Sequence, residues 1–258
     1  MQRRKRPFYI IAHNPNTIKE AEEFLQAGAN ALEPDIVFAE NRFFVSHSHH
    51  ASYEDIPTLE TYLRDLQDLL AAKKYNLALL IFDMKDTDFD VNDFLALVKE
   101  NFCGDLCDDV AILVTNADDH EFLCRYRGNY PNVGIGVDES NVPPAELEQI
   151  FKQAGQKNFS YADGITTFLT KLGVFQNIVE AQECRAKNEP HSFKLIYTWV
   201  LSLKGSMRKY LDTHIDGIFV DLDDVKELKE LLSNSPYNEA YELAVYGYNP
   251  FTAEMRTA

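Results

Sequence analysis

The sequence has little positive charge. It contains 25 lysines and arginines against 41 aspartates and glutamates, which gives a formal charge of −16 at pH 7. A surface of this sign repels nucleic-acid phosphates and is not attracted to anionic membranes. We therefore expect no nucleic-acid partner, while neutral and zwitterionic lipids stay compatible with the chain.

Long hydrophobic runs are also missing. The first apolar stretch, Phe8–Ala12, is too short for the apolar core of a secretory signal and ends at His13. No run of about 18 apolar residues follows, so we expect no transmembrane helix. These absences predict a cytoplasmic protein, or one exported without a Sec signal.

Cysteine is scarce as well. The four cysteines are scattered, and no second Cys or His pair completes a zinc pattern around Cys103 and Cys107, which are close enough in sequence to lie near one another. We expect reduced thiols of the kind found in cytosolic proteins.

Short apolar runs alternate with helical patterns along all 258 residues. A capping box at Thr17–Glu20 begins the first helix, and Gly28 is typical of its C-terminal cap. The eight candidate strands are Phe8–Ala12, Ala31–Phe38, Leu77–Phe82, Val110–Val114, Val133–Val137, Gly164–Thr167, Leu195–Leu201 and Gly217–Val220.

Eight strands that alternate with helices predict the α/β class, with a parallel sheet closed into one TIM (β/α)8 barrel over residues 1–258. An open doubly wound sheet is the alternative, but no glycine-rich phosphate loop follows the first strand. The segment Arg42–His47 is expected to add an extended stretch within the loop after the second strand.

Two carboxylates, Glu33 and Asp35, lie two residues apart in the second apolar run. Strand alternation aims both at one face, where they would repel each other and shift their pKa values. A hard divalent cation resolves this conflict, because magnesium and calcium prefer oxygen ligands. The alternative is a pair of acids that face solvent.

Asp83 and Lys85 follow the third apolar run. In a barrel, the C-terminal ends of strands carry the catalytic groups, so Asp83 is a candidate third metal ligand. Lys85, on the same face, is a candidate phosphate-binding cation. An ordinary ion pair at the end of a strand is the alternative.

Histidines stand at the ends of two of these segments. His13 closes the first run, and His47, His49 and His50 follow the extra extended segment. His47 and His49 share strand parity, so alternation does not choose between them. The histidine cluster also suggests a transition metal, although the nearby carboxylates favour a hard ion. Two histidines beside a metal suit phosphodiester cleavage, one activating the nucleophile and the other protonating the leaving oxygen.

Several motifs resemble one known family. They are Ala12–Thr17, Gly28–Asp35, Phe82–Lys85, Ala162–Thr166, Tyr197–Trp199, Ile215–Ile218 and Ala244–Phe251. Together they are similar to the glycerophosphodiester phosphodiesterase superfamily, and more closely to its sphingomyelinase D/phospholipase D branch of spider venoms, bacteria and fungi. The resemblance covers nearly the whole chain, and its C-terminal motif implies a segment that plugs the bottom of the barrel.

The resemblance implies a site and a reaction. Glu33, Asp35 and Asp83 would bind magnesium, with calcium as the alternative, and His13 and His47 would be the acid–base pair. Lys85 would contact the phosphate, and Trp199 would shape the pocket for the headgroup. The substrate would be a sphingo- or lysophospholipid whose own hydroxyl attacks phosphorus and yields a cyclic phosphate. We also expect a monomer that can make peripheral contact with a membrane.

Four departures from the branch bear on headgroup and lipid preference. Ser48-His49-His50 stand where the branch has Gly or Asp, and this loop lacks the cysteine pair of venom members. Asp221 replaces a common Asn, and Phe251 replaces a Trp. None of the departures touches the expected metal ligands.

Other functions stay open at this point. The first is hydrolysis of soluble glycerophosphodiesters within the same superfamily. A non-catalytic barrel that binds lipid or metal is the second. An aldolase or isomerase is the third, because a fold does not fix a function, and Lys85 is then the candidate Schiff-base residue.

Overall fold

The computed structural model describes residues 5–102, 108–138, 141–164 and 174–252. The strands are β1 (Arg6–His13), β2 (Ala31–Glu33), β3 (Asp35–Ala39), β4 (Arg42–Val45), β5 (Leu79–Met84), β6 (Ala111–Asn116), β7 (Val133–Val137), β8 (Phe159–Gly164), β9 (Leu195–Trp199), β10 (Gly217–Val220) and β11 (Tyr241–Leu243). The helices are α1 (Ile18–Ala27), α2 (Leu59–Lys73), α3 (Val91–Asn101), α4 (His120–Cys124), α5 (Pro144–Gln153), α6 (Val174–Asn188), α7 (Lys204–Leu211), α8 (Leu222–Leu232) and α9 (Tyr237–Ala240).

The parallel strands close into a barrel. Strand β1 pairs with both β2 and β10, and the ring continues from β2 through β5, β6, β7, β8 and β9 back to β10. Helices surround this eight-stranded ring, so the predicted TIM barrel is confirmed. The extra extended segment is also present, because β4 pairs with β3 in antiparallel fashion.

Local sequence explains why the first helix has these limits. The Thr17 side chain accepts the N–H of Glu20 while the Glu20 side chain accepts the N–H of Thr17, as the capping box predicts. The helix ends at Gly28, whose φ of 113° is available to glycine at little cost. A cap of this kind stabilises a helix by about 1 kcal/mol.

Strand alternation sorts the apolar side chains into two layers. Phe8, Ile10 and Ala12 of β1 face the helices, whereas Tyr9 and Ile11 face the barrel interior. The interior layer also contains residues of the other strands, and Phe251 from the C-terminal segment joins it. The strands are thus buried on both faces, as their near-continuous hydrophobicity predicts.

The C-terminal segment closes the bottom of the barrel. Strand β11 pairs with the first residues of β1, and Asn30 Nδ2 donates to the carbonyl of Ala244 over 2.8 Å. Asn30 also accepts the N–H of Ile10, and Phe251 packs so closely on Gly134 that a Cβ there would collide with its ring. The expected plug is confirmed.

Two strand predictions need correction. The expected strand Ala31–Phe38 is interrupted at Pro34, which lacks an N–H for the sheet. The expected strand Gly164–Thr167 was placed too late, since β8 runs over the less hydrophobic residues Phe159–Gly164, and 165–167 lie outside the described residues. Cys103 and Cys107 also lie outside them, and the thiols of Cys124 and Cys184 are free. No helix within the described ranges is both long enough and apolar enough to cross a membrane.

Candidate active site

Pro34 divides the two expected metal ligands between two seams of the barrel. Glu33 stands opposite His13 in the β1–β2 pairing, and Asp35 stands opposite Asp83 in the β3–β5 pairing. The carbonyl of Pro34 still accepts the N–H of Asp83 over 3.2 Å. Two neighbouring strand pairings therefore place their carboxylates together at the C-terminal ends of the strands.

Glu33, Asp35 and Asp83 form a compact carboxylate cluster. Each offers an oxygen within 4.8 Å of the others, and Glu33 and Asp35 are buried. Burial, together with repulsion from Asp35 and Asp83, raises the pKa of Glu33 well above its ordinary value. Burial also raises the pKa of Asp83, although Lys85 offsets part of this effect. Such a cluster is unfavourable without a cation, and an all-oxygen donor set could bind a metal ion.

Two asparagines after β1 hold the cluster in place. Asn16 Nδ2 donates to Asp35 Oδ2 over 2.8 Å, while Asn16 Oδ1 accepts the N–H of Asp35 over 2.9 Å. Asn14 adopts a left-handed φ of 52° and donates its own N–H to Glu33 Oε2 over 3.1 Å. These bonds fix the orientation of two of the three carboxylates.

Lys85 lies against the same cluster. Its Nζ is 2.6 Å from Asp35 Oδ1 and forms an ion pair with Asp83. Burial lowers the pKa of Lys85, but the attraction of Asp83 and Asp35 outweighs burial and the net direction is upward. Three carboxylates and one ammonium leave two net negative charges when the acids are ionised, which a divalent cation would balance.

His13 lies at the end of β1 and contacts Asp221, which follows β10. Its Nδ1 is 3.0 Å from Asp221 Oδ1, and its side chain is about one third exposed. A carboxylate on Nδ1 orients an imidazole and leaves Nε2 to face other groups. Asp221, singled out in the sequence only as a departure from the family, therefore lies where it can orient the His13 ring.

The structure distinguishes His47 from His49. His47 Nδ1 is 3.3 Å from Asp35 Oδ1, and His47 is also near enough to Asp83 to lower the pKa of that carboxyl. His49 instead contacts Tyr53 and Asp86. The geometry thus brings His47, and not His49, to the carboxylate cluster.

Trp199 ends β9 and is partly buried. Its ring packs on the interior apolar layer, and a Cβ at Gly164 would collide with it. Its Nε1 is buried without a hydrogen-bond partner among the described residues. A buried donor at the C-terminal end of a barrel strand suits contact with a substrate oxygen.

Asp138 was missed by the sequence analysis. It follows β7 and accepts a hydrogen bond of 2.9 Å from the Tyr197 hydroxyl. Burial and repulsion from Asp83 raise its pKa to about 7, and hydrogen bonds from Thr115 and Tyr197 counteract part of this rise. The signal was present, because Asp138 follows a buried run in the same way as Asp83 does.

The structure therefore brings most of the predicted site residues together at one end of the barrel. Glu33, Asp35, Asp83, Lys85 and His47 are linked by direct contacts or the shared cluster. The pairing of β1 with β2 sets His13 beside Glu33. Trp199 lies at the same end of the barrel, on β9.

Similar solved structures share the fold. A glycerophosphodiester phosphodiesterase from Parabacteroides distasonis superposes with a TM-score of 0.61 at 18% identity, covering 90% of this chain and all of that one. A phosphodiesterase from Oleispira antarctica, in complex with the product sn-glycerol-3-phosphate, has a TM-score of 0.62 at 12% identity, covering 88% of this chain and 97% of that one.

Relatives matched by sequence narrow the family further than the shared fold does. The dermonecrotic toxin LlSicTox-alphaIV1i of Loxosceles laeta is 24% identical over 96% of this chain and 100% of its own. LarSicTox-alphaIII1 of Loxosceles arizonica is 24% identical over 94% of this chain and 98% of its own. A family model described as dermonecrotic toxin SPH matches residues 3–100 and 113–251. These matches confirm the family resemblance and the phosphodiesterase class expected from the sequence. The chain belongs to the dermonecrotic toxin SPH family.

Proposed function

We propose that this chain is a magnesium-dependent phosphodiesterase that removes the headgroup of sphingo- or lysophospholipids and leaves a cyclic phosphate. The observation that carries the proposal is the cluster of Glu33, Asp35 and Asp83 with His47 facing it and His13 beside Glu33 in the sheet. We propose further that it works as one barrel domain, as a monomer in peripheral contact with lipid.

Magnesium fits the donor set, because three carboxylates provide hard oxygen ligands. Glu33, Asp35 and Asp83 would hold the ion, which would supply neutralisation of charge on the phosphoryl oxygens. Lys85, within ion-pair distance of Asp35 and Asp83, would add a second positive charge beside the phosphate.

The two histidines would move protons. Each has its Nδ1 beside a carboxylate, Asp221 for His13 and Asp35 for His47, which leaves both Nε2 atoms for the substrate. One imidazole takes the proton of the substrate hydroxyl as its oxygen bonds to phosphorus. The other gives a proton to the headgroup oxygen as its bond to phosphorus breaks. Attack by a hydroxyl of the same molecule gains from proximity.

The Trp199 indole and the Asp138 carboxyl lie at the same end of the barrel, on β9 and after β7. An aromatic face and a carboxylate both attract a quaternary or primary ammonium. We propose that Trp199 contacts the headgroup, as the resemblance implies.

A substrate panel tests the proposal. Sphingomyelin, lysophosphatidylcholine, lysophosphatidylethanolamine and glycerophosphocholine are incubated with the protein in magnesium or in chelator, and the products are read by phosphorus NMR. A cyclic phosphate signal that needs magnesium and disappears in His13→Ala supports the proposal. The matched control is His191→Ala, because His191 is exposed in the loop before β9, at the other end of the strand.

The same spectra separate the alternative reaction. Release of a phosphomonoester from glycerophosphocholine, without a cyclic signal from any lipid, would identify a hydrolase of soluble diesters. No turnover of any member of the panel would overturn the proposed activity.

A further inference from the structure

His47 is held by few contacts of its own. Its side chain is 67% exposed, and among the described residues its ring contacts Asp35 Oδ1 through Nδ1 over 3.3 Å. It belongs to residues 46–56, which we call the His47 loop, between β4 and the helix α2. In the sheet β4 pairs with β3, and the N–H of Ser46 donates to the carbonyl of Asp35 over 3.0 Å, so the sheet fixes the start of the loop. The remaining residues of the loop need contacts of their own to hold the His47 ring at the cluster.

The two ends of the loop are joined. The N–H of Val45 donates to the carbonyl of Pro57 over 2.9 Å, and Phe44 forms a bridge with Thr58. Within the loop, Tyr53 is buried and stacks on Phe44 with 4.4 Å between ring centroids. Packing therefore holds Tyr53 in place, and its hydroxyl can anchor the exposed histidines of the loop.

His49 connects Tyr53 to Asp86, which follows the strand that carries Asp83. Its Nδ1 is 2.9 Å from the Tyr53 hydroxyl, and its Nε2 is 3.0 Å from Asp86 Oδ1. Asp86 lies three residues beyond Asp83, and its other oxygen accepts the N–H of Phe38 in β3 over 2.7 Å. The Nδ1 contact thus lies within the His47 loop, and the Nε2 contact joins the loop to residues beside the carboxylate cluster.

The hydrogen bonds are consistent in direction. The N–H of His50 donates to the Tyr53 oxygen over 3.2 Å, which leaves the Tyr53 hydroxyl hydrogen to bond His49 Nδ1. His49 Nε2–H can then donate to the Asp86 carboxylate, which only accepts. A neutral His49 satisfies every group in this chain of bonds, with each donor meeting one acceptor.

His50 closes the loop from the other side. Its Nε2 is 2.7 Å from Ser46 Oγ, and that hydroxyl donates to the carbonyl of Ser48 over 3.0 Å. The residues on both sides of His47 are therefore tied down while its own ring stays accessible.

We propose that His49, acting through Tyr53 and Asp86, is a positioning residue that holds the His47 imidazole at the carboxylate cluster. It does not touch substrate. This inference rests on the proposed function for its catalytic consequence, but the ordering of His47 that it requires can be measured without turnover.

The test uses His49→Phe, which keeps a ring of similar size but removes both bonds, and Tyr53→Phe, which removes one hydroxyl. We expect kcat to fall about 10- to 100-fold in each, because small misplacement of a proton-transfer group is costly. KM and the magnesium midpoint should change by less than about 3-fold. The kcat of the double variant should lie within about 3-fold of the kcat of the slower single variant, because both substitutions break the same chain of bonds.

His49→Gln can restore the bond to Asp86 and is expected to recover part of kcat. His191→Phe is the matched control and should behave like the parent. If His49→Phe and Tyr53→Phe keep the kcat of this control, or lose activity through KM alone, the positioning role is wrong.

The second readout is the order of the His47 ring, measured by NMR relaxation of its labelled Cε1–H together with amide exchange over the His47 loop. We expect more ring motion and faster exchange in His49→Phe and Tyr53→Phe, with the thermal unfolding of the barrel unchanged. If the parent lacks turnover, this readout still tests the positioning role on its own. Increased motion of the His47 ring in the variants then supports the positioning role, although the proposed activity has failed. Unchanged motion in both variants overturns it.

Discussion

His13 and Asp221 meet across the seam between the first and last strands of the barrel, with 3.0 Å between Nδ1 and Oδ1. The contact is partly open to water, since the Asp221 side chain is 63% exposed. It therefore orients the imidazole and contributes little to stability, as is usual for exposed pairs.

Asp221→Asn should keep the hydrogen bond only for one amide orientation and lose the negative charge beside Nδ1. We expect kcat/KM to fall about 10-fold, less than for a buried orienting carboxylate, with thermal stability unchanged. Steady-state kinetics on the best substrate of the panel check this. Asp223→Asn, which neutralises an exposed neighbour in α8, is the control. Equal rates for the two variants would remove Asp221 from the mechanism.

Glu33→Gln should separate metal binding from folding. It removes a carboxylate whose pKa is raised by burial and by Asp35 and Asp83, so the metal-free protein should become more stable. The same change should abolish the rise in melting temperature that we expect magnesium to produce in the parent. That rise corresponds to about 2.7 kcal/mol when magnesium is at 100 times its Kd.

Calorimetry in chelator and in magnesium measures both effects. Glu230→Gln, at an exposed position of α8, should keep the full response to magnesium. A magnesium response that survives in Glu33→Gln would contradict the assignment of this ligand.

Asp138 should make the metal-free protein less stable as pH rises. Its pKa is raised from 3.8 to about 7 in the folded state, so folding favours the protonated carboxyl. Stability from this group is therefore full below about pH 4 and is lost as pH rises through about 7. Because Asp138 is partly exposed, we expect about 2 kcal/mol, less than the full shift would give.

Asp138→Asn should flatten this part of the pH profile. The comparison is made by urea unfolding in chelator at several values between pH 4 and 8. Glu33 and Asp83 shift in the same direction, so only the difference between parent and variant reports on Asp138. Parallel profiles for the two proteins would show that this carboxyl does not titrate in the range.

Asn30 joins the plug to the barrel. It is 1% exposed and bonds the N–H of Ile10 and the carbonyls of Phe8 and Ala244. Asn30→Ala would remove all three bonds and leave the buried N–H of Ile10 without this acceptor, whereas the carbonyls of Phe8 and Ala244 keep bonds from the Ala244 N–H and from Asn76 Nδ2. We expect a loss of about 3 kcal/mol in urea unfolding.

The catalytic constants of the folded Asn30→Ala protein should stay close to those of the parent, because the change lies at the opposite end of the barrel. Asn101→Ala, which removes one bond to Leu97 on a helix surface, should cost less than about 1 kcal/mol. Equal losses for the two variants would argue against the anchoring role of Asn30.

Sequence patterns predicted the barrel because the signals for its strands and for its helices are both local in sequence. Short runs such as Val133–Val137 are apolar throughout, and caps such as Thr17 announce the helices that follow. The three carboxylates could be placed at one end of the barrel for the same reason, because each lies at or near the end of a strand. The strand Phe159–Gly164 was placed wrongly because it contains Ser160 and Asp163, whose burial depends on partners distant in sequence.

Strand alternation does not choose between His47 and His49, because both have the same parity, and among the sequence signals only the family resemblance favours His47. In the structure, the contacts of His49 with Tyr53 and Asp86 separate the two. Asp138 was missed although it follows a buried run, because the sequence does not show its hydrogen bond with Tyr197, 59 positions away. In each case the deciding information is a long-range polar contact.

Pro34 has a consequence for how the molecule can diverge. The residues on either side of it pair with different neighbouring strands, yet only one residue separates them. Loops on the catalytic face can therefore lengthen or shorten without moving Glu33 away from Asp35, because the peptide chain itself is the spacer. An insertion beside Pro34 would have the opposite effect and would separate two carboxylates while most of the barrel stayed folded. We therefore expect differences in substrate range to arise from changes in the loops. The spacing of one residue between Glu33 and Asp35 should stay constant among active relatives.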